Sequence, residues 1–108
     1  MHVFNQRSVA EILDAIRMLG ALVAAPKAAD ALVAELEMHL AQARARAASL
    51  PRRPRVYFEE WDEPQISAIR WVSELIEIAG GEDILADRSR GRAASARLVT
   101  GEDVLDRR

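Results

Sequence analysis

Arg55-Val56-Tyr57-Phe58-Glu59-Glu60-Trp61 is followed by Asp62-Glu63-Pro64, then by Ile66-Ser67-Ala68-Ile69-Arg70-Trp71-Val72-Ser73-Glu74-Leu75-Ile76 and Gly80-Gly81. The first run is rich in β-formers and reads as a strand over 55–61. The Pro64 segment reads as a turn. Ile69, Val72, Leu75, Ile76 and Ala79 recur at helical spacing and predict a helix from about Ile66 to Ala79. The double glycine stops it, as a left-handed cap would. A strand running into a helix belongs to a parallel sheet, so the fold class is α/β and helix-dominated. Within this chain the strand has only weak partners, at 3–5 and 97–99.

Upstream, Ser8 stands three residues before Glu11, the spacing of a capping box. Val9, Ile12, Leu13, Ile16 and Leu19 then form one apolar stripe, closed by Gly20 and Pro26. Pro26 suits the first position of a second helix. No glycine or proline interrupts Lys27 to Ala48, and alanine, leucine, glutamate and arginine dominate there. This helix would be about 33 Å long, a strut joining two bodies, with Leu32, Val33, Leu36, Leu40 and Ala43 on one face. Downstream, residues 82–98 read as irregular, with Arg88, Arg90, Arg92 and Arg97 in a polar stretch. Thr100 and Asp103 read as a second capping box. His2-Val3-Phe4-Asn5 reads as a strand stub.

Composition narrows function. Of the 108 residues, 50% are hydrophobic, but twenty are alanine, enough for one modest core and not for two. A net charge of −2 argues against a general nucleic-acid binder. Zero cysteines exclude disulfides, thiolate zinc sites and cysteine nucleophiles. No apolar run approaches the ~20 residues of a membrane helix, and Met1–Arg7 carries no secretory signal pattern.

Together, Pro54–Trp61, Ile66–Ile76, Ala79-Gly80-Gly81-Glu82-Asp83-Ile84 and Val99-Thr100-Gly101-Glu102-Asp103-Val104-Leu105 resemble the cobalamin-type substrate-binding proteins of ABC importers, the class with a rigid helix between two lobes. The Glu-Glu-Trp strand end and the Ile-Arg-Trp-Val helix start resemble the corrinoid branch in particular. The resemblance implies three parts: 1–25, the end of a first lobe; 26–49, the long backbone helix; and 50–108, an incomplete second lobe with part of its parallel sheet. On this expectation the chain is a fragment. The resemblance further implies a periplasmic or extracytoplasmic binding protein, not an enzyme, with no catalytic cofactor, cobalamin as transported ligand and the importer's membrane subunits as partner. A siderophore, haem or metal chelate is the alternative cargo, and a helix-rich remnant without transport function is the alternative role.

The candidate ligand contacts are Trp61, Arg70 and Trp71. A flat corrin can stack on an indole, a guanidinium can donate to amide or phosphate oxygens, and ligands gather beyond the carboxyl ends of strands in open α/β sheets. Plain core packing is the competing reading of both tryptophans. The resemblance also implies that Glu102 docks on importer arginines, and it places Ala96 where some members carry an aromatic ligand contact. The acids Glu59, Glu60, Asp62 and Glu63 could suggest acid–base pairing or a hard cation, but strand neighbours point to opposite faces, and a solvated strand end accounts for them. His2 and His39 have no partner at ligand spacing. The run Arg44, Arg46, Arg52, Arg53, Arg55 lacks aromatic interleaving and reads as a solvated face.

Overall fold

A computed structural model describes residues 4–107. Ser8 starts α1 (Val9–Leu22): its hydroxyl accepts from the Glu11 N–H at 3.2 Å. The Glu11 carboxylate accepts from the Arg7 N–H at 2.6 Å, one residue before the position a reciprocal box requires. Ala24, at φ 57°, reverses the chain, and Pro26 opens α2 (Pro26–Ala47). At 22 residues α2 is as long as its composition predicts. Helices α1 and α2 form a close hairpin because Gly20 has no side chain. A Cβ there would lie 2.3 Å from the Ala29 Cβ. Leu13, Ala29 and Val33 are buried between the helices and their neighbours. Leu36, Leu40 and Ala43 are half-buried, whereas Leu32 lies outside the expected stripe and is exposed.

The expected strand over 55–61 is two strands. β1 (Arg55–Val56) pairs in parallel with β4 (Glu82–Asp83). β2 (Glu59–Asp62) pairs antiparallel with β3 (Gln65–Ser67) across the Pro64 turn. Glu59 faces Ser67 while Trp61 faces Ile66, so Glu60 is the extra residue of a bulge. The bulge re-aims Glu60 toward Arg97, as described below. Parallel pairing is thus confined to two residues on each side. The stretch 97–99 does act as a partner, but of β3: Leu98 bridges Ile66 and the Val99 N–H donates to the Gln65 carbonyl. The expected stub at 2–5 falls partly on residues 1–3, outside the described residues; Phe4 and Asn5 are irregular.

Because Gln65–Ser67 join the hairpin, α3 (Arg70–Ile78) starts four residues later than its periodicity predicts. Ser73 and Ile78 are buried on it, while Leu75 and Ala79, expected inward, are exposed. Gly80 ends it at φ 90°, a left-handed conformation as expected. A Cβ there would also stand 2.7 Å from Leu50 Cδ1 and 2.9 Å from Ala47 Cβ, so this glycine seats α3 against the end of α2.

After β4 come α4 (Ala86–Ser89), a short 3₁₀ turn over Ala94–Arg97 and α5 (Gly101–Asp106). Thr100 and Asp103 make the full reciprocal box. The Cα radius of gyration is 16.3 Å, against about 13 Å for a compact domain of this length. The helical hairpin and the C-terminal unit meet through α3, which packs on both α1 and α2; Val33 is buried on the hairpin side and Ile78 and Leu85 on the other.

Candidate functional site

The hairpin β2–β3 and the start of α3 bring three of the predicted residues to one junction. The Ile69 N–H donates to Glu60 Oε2 at 3.0 Å, so Trp61 and Arg70, the next residues on each side, flank the same point. Their side chains do different things. Trp61 is 60% exposed, and its indole Nε1–H donates to the Glu63 carbonyl at 3.0 Å. This holds the ring in place and leaves apolar surface open. Arg70 is exposed, and its Nε donates to Glu74 Oε1 at 2.8 Å. Glu74 Oε2 in turn accepts from the Val9 N–H at 2.8 Å, tying α3 to the first turn of α1. Trp71, in the first turn of α3, is half-buried.

Beneath the hairpin lies an ion pair that local spacing does not announce. Arg97 is almost fully buried, and its two Nη groups donate to the two Glu60 carboxylate oxygens at 2.6 and 3.2 Å. Arg97 Nη1 also donates to the Ser67 carbonyl, while the Ser67 hydroxyl donates to the Arg97 carbonyl at 3.1 Å. A forked guanidinium–carboxylate pair fixes orientation as well as charge. Glu60, grouped by sequence with a solvated acidic strand end, is therefore the brace of the hairpin. On the outer face, Glu59 accepts from the Tyr57 hydroxyl and the Gln65 side-chain amide. Partial burial, then this bond to a carboxylate, raises the Tyr57 pKa above the ordinary phenol value.

Two clefts open on the side of α1. The larger, about 830 Å³, runs between α1, α2 and α3 over Val9, Leu13, Leu40 and Ile78. The second, about 700 Å³, lies between the start of α1, α3 and residues 86–92. Arg70 lines the second; neither tryptophan does. Arg7, Arg90 and Arg92 also line it; they come from two distant segments, so no local pattern in the sequence groups them.

Glu102 occupies the second position of α5 and is exposed. Asp103, one residue on, supplies the cap. The Thr100 backbone and side-chain hydrogen bonds hold its carboxyl below the usual carboxylate range. Glu102 is left out of that network, and its carboxylate is favoured by the helix dipole. Among the described residues no group of three or more histidine, aspartate or glutamate side chains could hold a metal ion, and no helix is long and apolar enough to cross a membrane.

The exposed indole stands on a braced hairpin, and neither cleft is lined by it. The chain belongs to the periplasmic binding protein family, whose model matches residues 2–98. Its class is therefore that of a non-catalytic binding protein with an extracytoplasmic place of action. No curated protein and no solved structure matches the chain significantly.

Proposed function

We propose that the chain is part of the substrate-binding component of an ABC importer for cobalamin or a related corrinoid. The observation that supports this most is the Trp61 indole, exposed on the β2–β3 hairpin and fixed there by its own N–H bond and by the Glu60–Arg97 pair beneath. A flat corrin can lie on such a face. Arg70, at the same junction, supplies donors to the amide or phosphate oxygens of the rim, and Trp71 adds apolar surface next to it. In this reading residues 1–25 are the end of a first lobe, α2 within 26–49 is the backbone between two lobes, and 50–108 are part of the second lobe. Glu102 is the second-lobe contact to arginines of the importer's membrane subunits. Glu102→Ala should then weaken binding to those subunits at low salt and leave cargo affinity unchanged.

The test of cargo is calorimetric titration of cyanocobalamin, haem and a ferric siderophore into the chain. Tight binding requires most of the ligand surface to be buried, and the Trp61 face covers one side. Cyanocobalamin is expected to bind with Kd weaker than about 1 μM, the affinity that corresponds to about 8 kcal/mol, and more tightly than the other two. Tighter binding of haem or the siderophore would move the cargo to that class.

A further inference from the structure

The second cleft has an unbalanced charge. Of its three acids, Glu74 is paired with Arg70 and also accepts from the Val9 N–H, and Glu77 is paired at 2.8 Å with Arg53, which lies outside this cleft; Glu11 accepts only from the Arg7 main-chain N–H and keeps its charge. By contrast, the guanidinium groups of Arg7, Arg90 and Arg92 have no hydrogen-bond or ion-pair partner among the described residues. They come from separate segments, Arg7 from the entry to α1 and the other two from the stretch after α4. Ser73 and Ser89, both buried, line the same cavity.

Three guanidiniums against the one uncompensated carboxylate, that of Glu11, leave the cleft net positive, and an oxyanion can be bound there by the forked N–H groups of an arginine. We infer that the cleft walled by Arg7, Arg90 and Arg92 is an oxyanion subsite for a phosphate group. It deepens the binding-protein reading and rests on it, but it does not depend on the cargo being a corrinoid. Gly91 sits between two of the arginines and lines the cavity itself; its N–H is held by the Arg88 carbonyl at 2.9 Å, so the arginine side chains supply the donors. The phosphate can come from a phosphodiester on the cargo or from a free anion.

The experiment is titration of inorganic phosphate into the whole chain at constant ionic strength, followed by amide NMR. Saturable shifts are expected at Ser73, Ser89 and Gly91. The pair Arg90→Gln with Arg92→Gln should weaken phosphate at least tenfold, and Arg7→Gln, from the other segment, should act in the same direction. No saturable shift, or unchanged affinity in both variants, overturns the inference. A second arm separates the sources. If phosphate competes with cyanocobalamin but not with dicyanocobinamide, which lacks the phosphodiester, the subsite holds the cargo's own phosphate. Equal effects on both, or phosphate binding without any corrinoid binding, assign it to a free anion, and in the latter case the corrinoid reading fails while the subsite stands. Corrinoid binding that persists while phosphate gives no saturable shift overturns the subsite and leaves the corrinoid reading intact.

Discussion

The helical hairpin α1–α2 and the unit from β1 to α5 are held together by different physics. The hairpin relies on backbone hydrogen bonds and on close apolar approach, with Gly20 against Ala29 as its tightest point. The C-terminal unit has little regular structure to rely on. Its short strands and turns are fastened by charged side chains, Glu60 to Arg97 and Asp87 to Arg107. Periodic interactions leave a periodic trace in sequence; forked ion pairs between residues 37 and 20 positions apart leave none.

The largest effect is expected at Arg97. Arg97→Met removes the buried partner of Glu60 and of the Ser67 carbonyl, so a carboxylate and a backbone acceptor lose their charge-assisted bonds. Loss of about 3 kcal/mol is expected, the low end of the usual range because Glu60 keeps some contact with water. Urea unfolding measures it. A loss below about 1 kcal/mol would mean the C-terminal unit is held by something other than this pair.

The corresponding change in the hairpin is Gly20→Ala. Its Cβ would stand 2.3 Å from that of Ala29, forcing the helices apart at a cost of about 1–3 kcal/mol. Pairing it with Ala29→Gly should recover part of the loss, since the two substitutions meet at one contact. Absence of any recovery would place the strain elsewhere.

Smaller effects sharpen the contrast between caps. Thr100 has the reciprocal box and Ser8 only half of one. Thr100→Ala and Ser8→Ala should each cost about 1 kcal/mol. The Thr100 change should be read locally, as faster amide exchange over 101–106, and the Ser8 change as faster exchange over the first turn of α1.

The smallest expected effect is electrostatic. The Arg107 hydrogen bonds hold the Asp87 pKa below the ordinary carboxylate value. The unfolded carboxyl titrates at about 3.9, so the pair contributes its full stability above that pH and loses it as pH falls through the lower folded value. Asp87→Asn should remove this acid-side dependence, and high salt should shrink it, because the pair is exposed.

How much of this was legible follows from the same contrast. The limits of α2, the Pro26 start, the Gly80 cap and the Thr100–Asp103 box were readable because each depends on residues within one turn of one another. The split of 55–61 into β1 and β2 was not, because the bulge at Glu60 is set by Arg97 from the far end of the unit. The late start of α3 has the same origin: Ile66 keeps helical spacing with its neighbours but is claimed by β2 and Leu98. Of the candidate site, Trp61 and Arg70 could be named from sequence, while the arginine-lined cleft could not, since Arg7 and Arg90 meet only in the folded chain.

In the function proposed above, the open face of Trp61 receives a flat cargo. The most direct measurement is tryptophan fluorescence of the Trp71→Phe variant, in which Trp61 is the single indole, during titration with cyanocobalamin. A corrin stacked on that ring is expected to quench its emission saturably beyond the inner-filter effect, with Kd weaker than about 1 μM, and adding Trp61→Phe should weaken calorimetric binding at least fivefold, about 1 kcal/mol. An emission curve that matches free tryptophan at every concentration, with calorimetric affinity indifferent to Trp61, would contradict the claim.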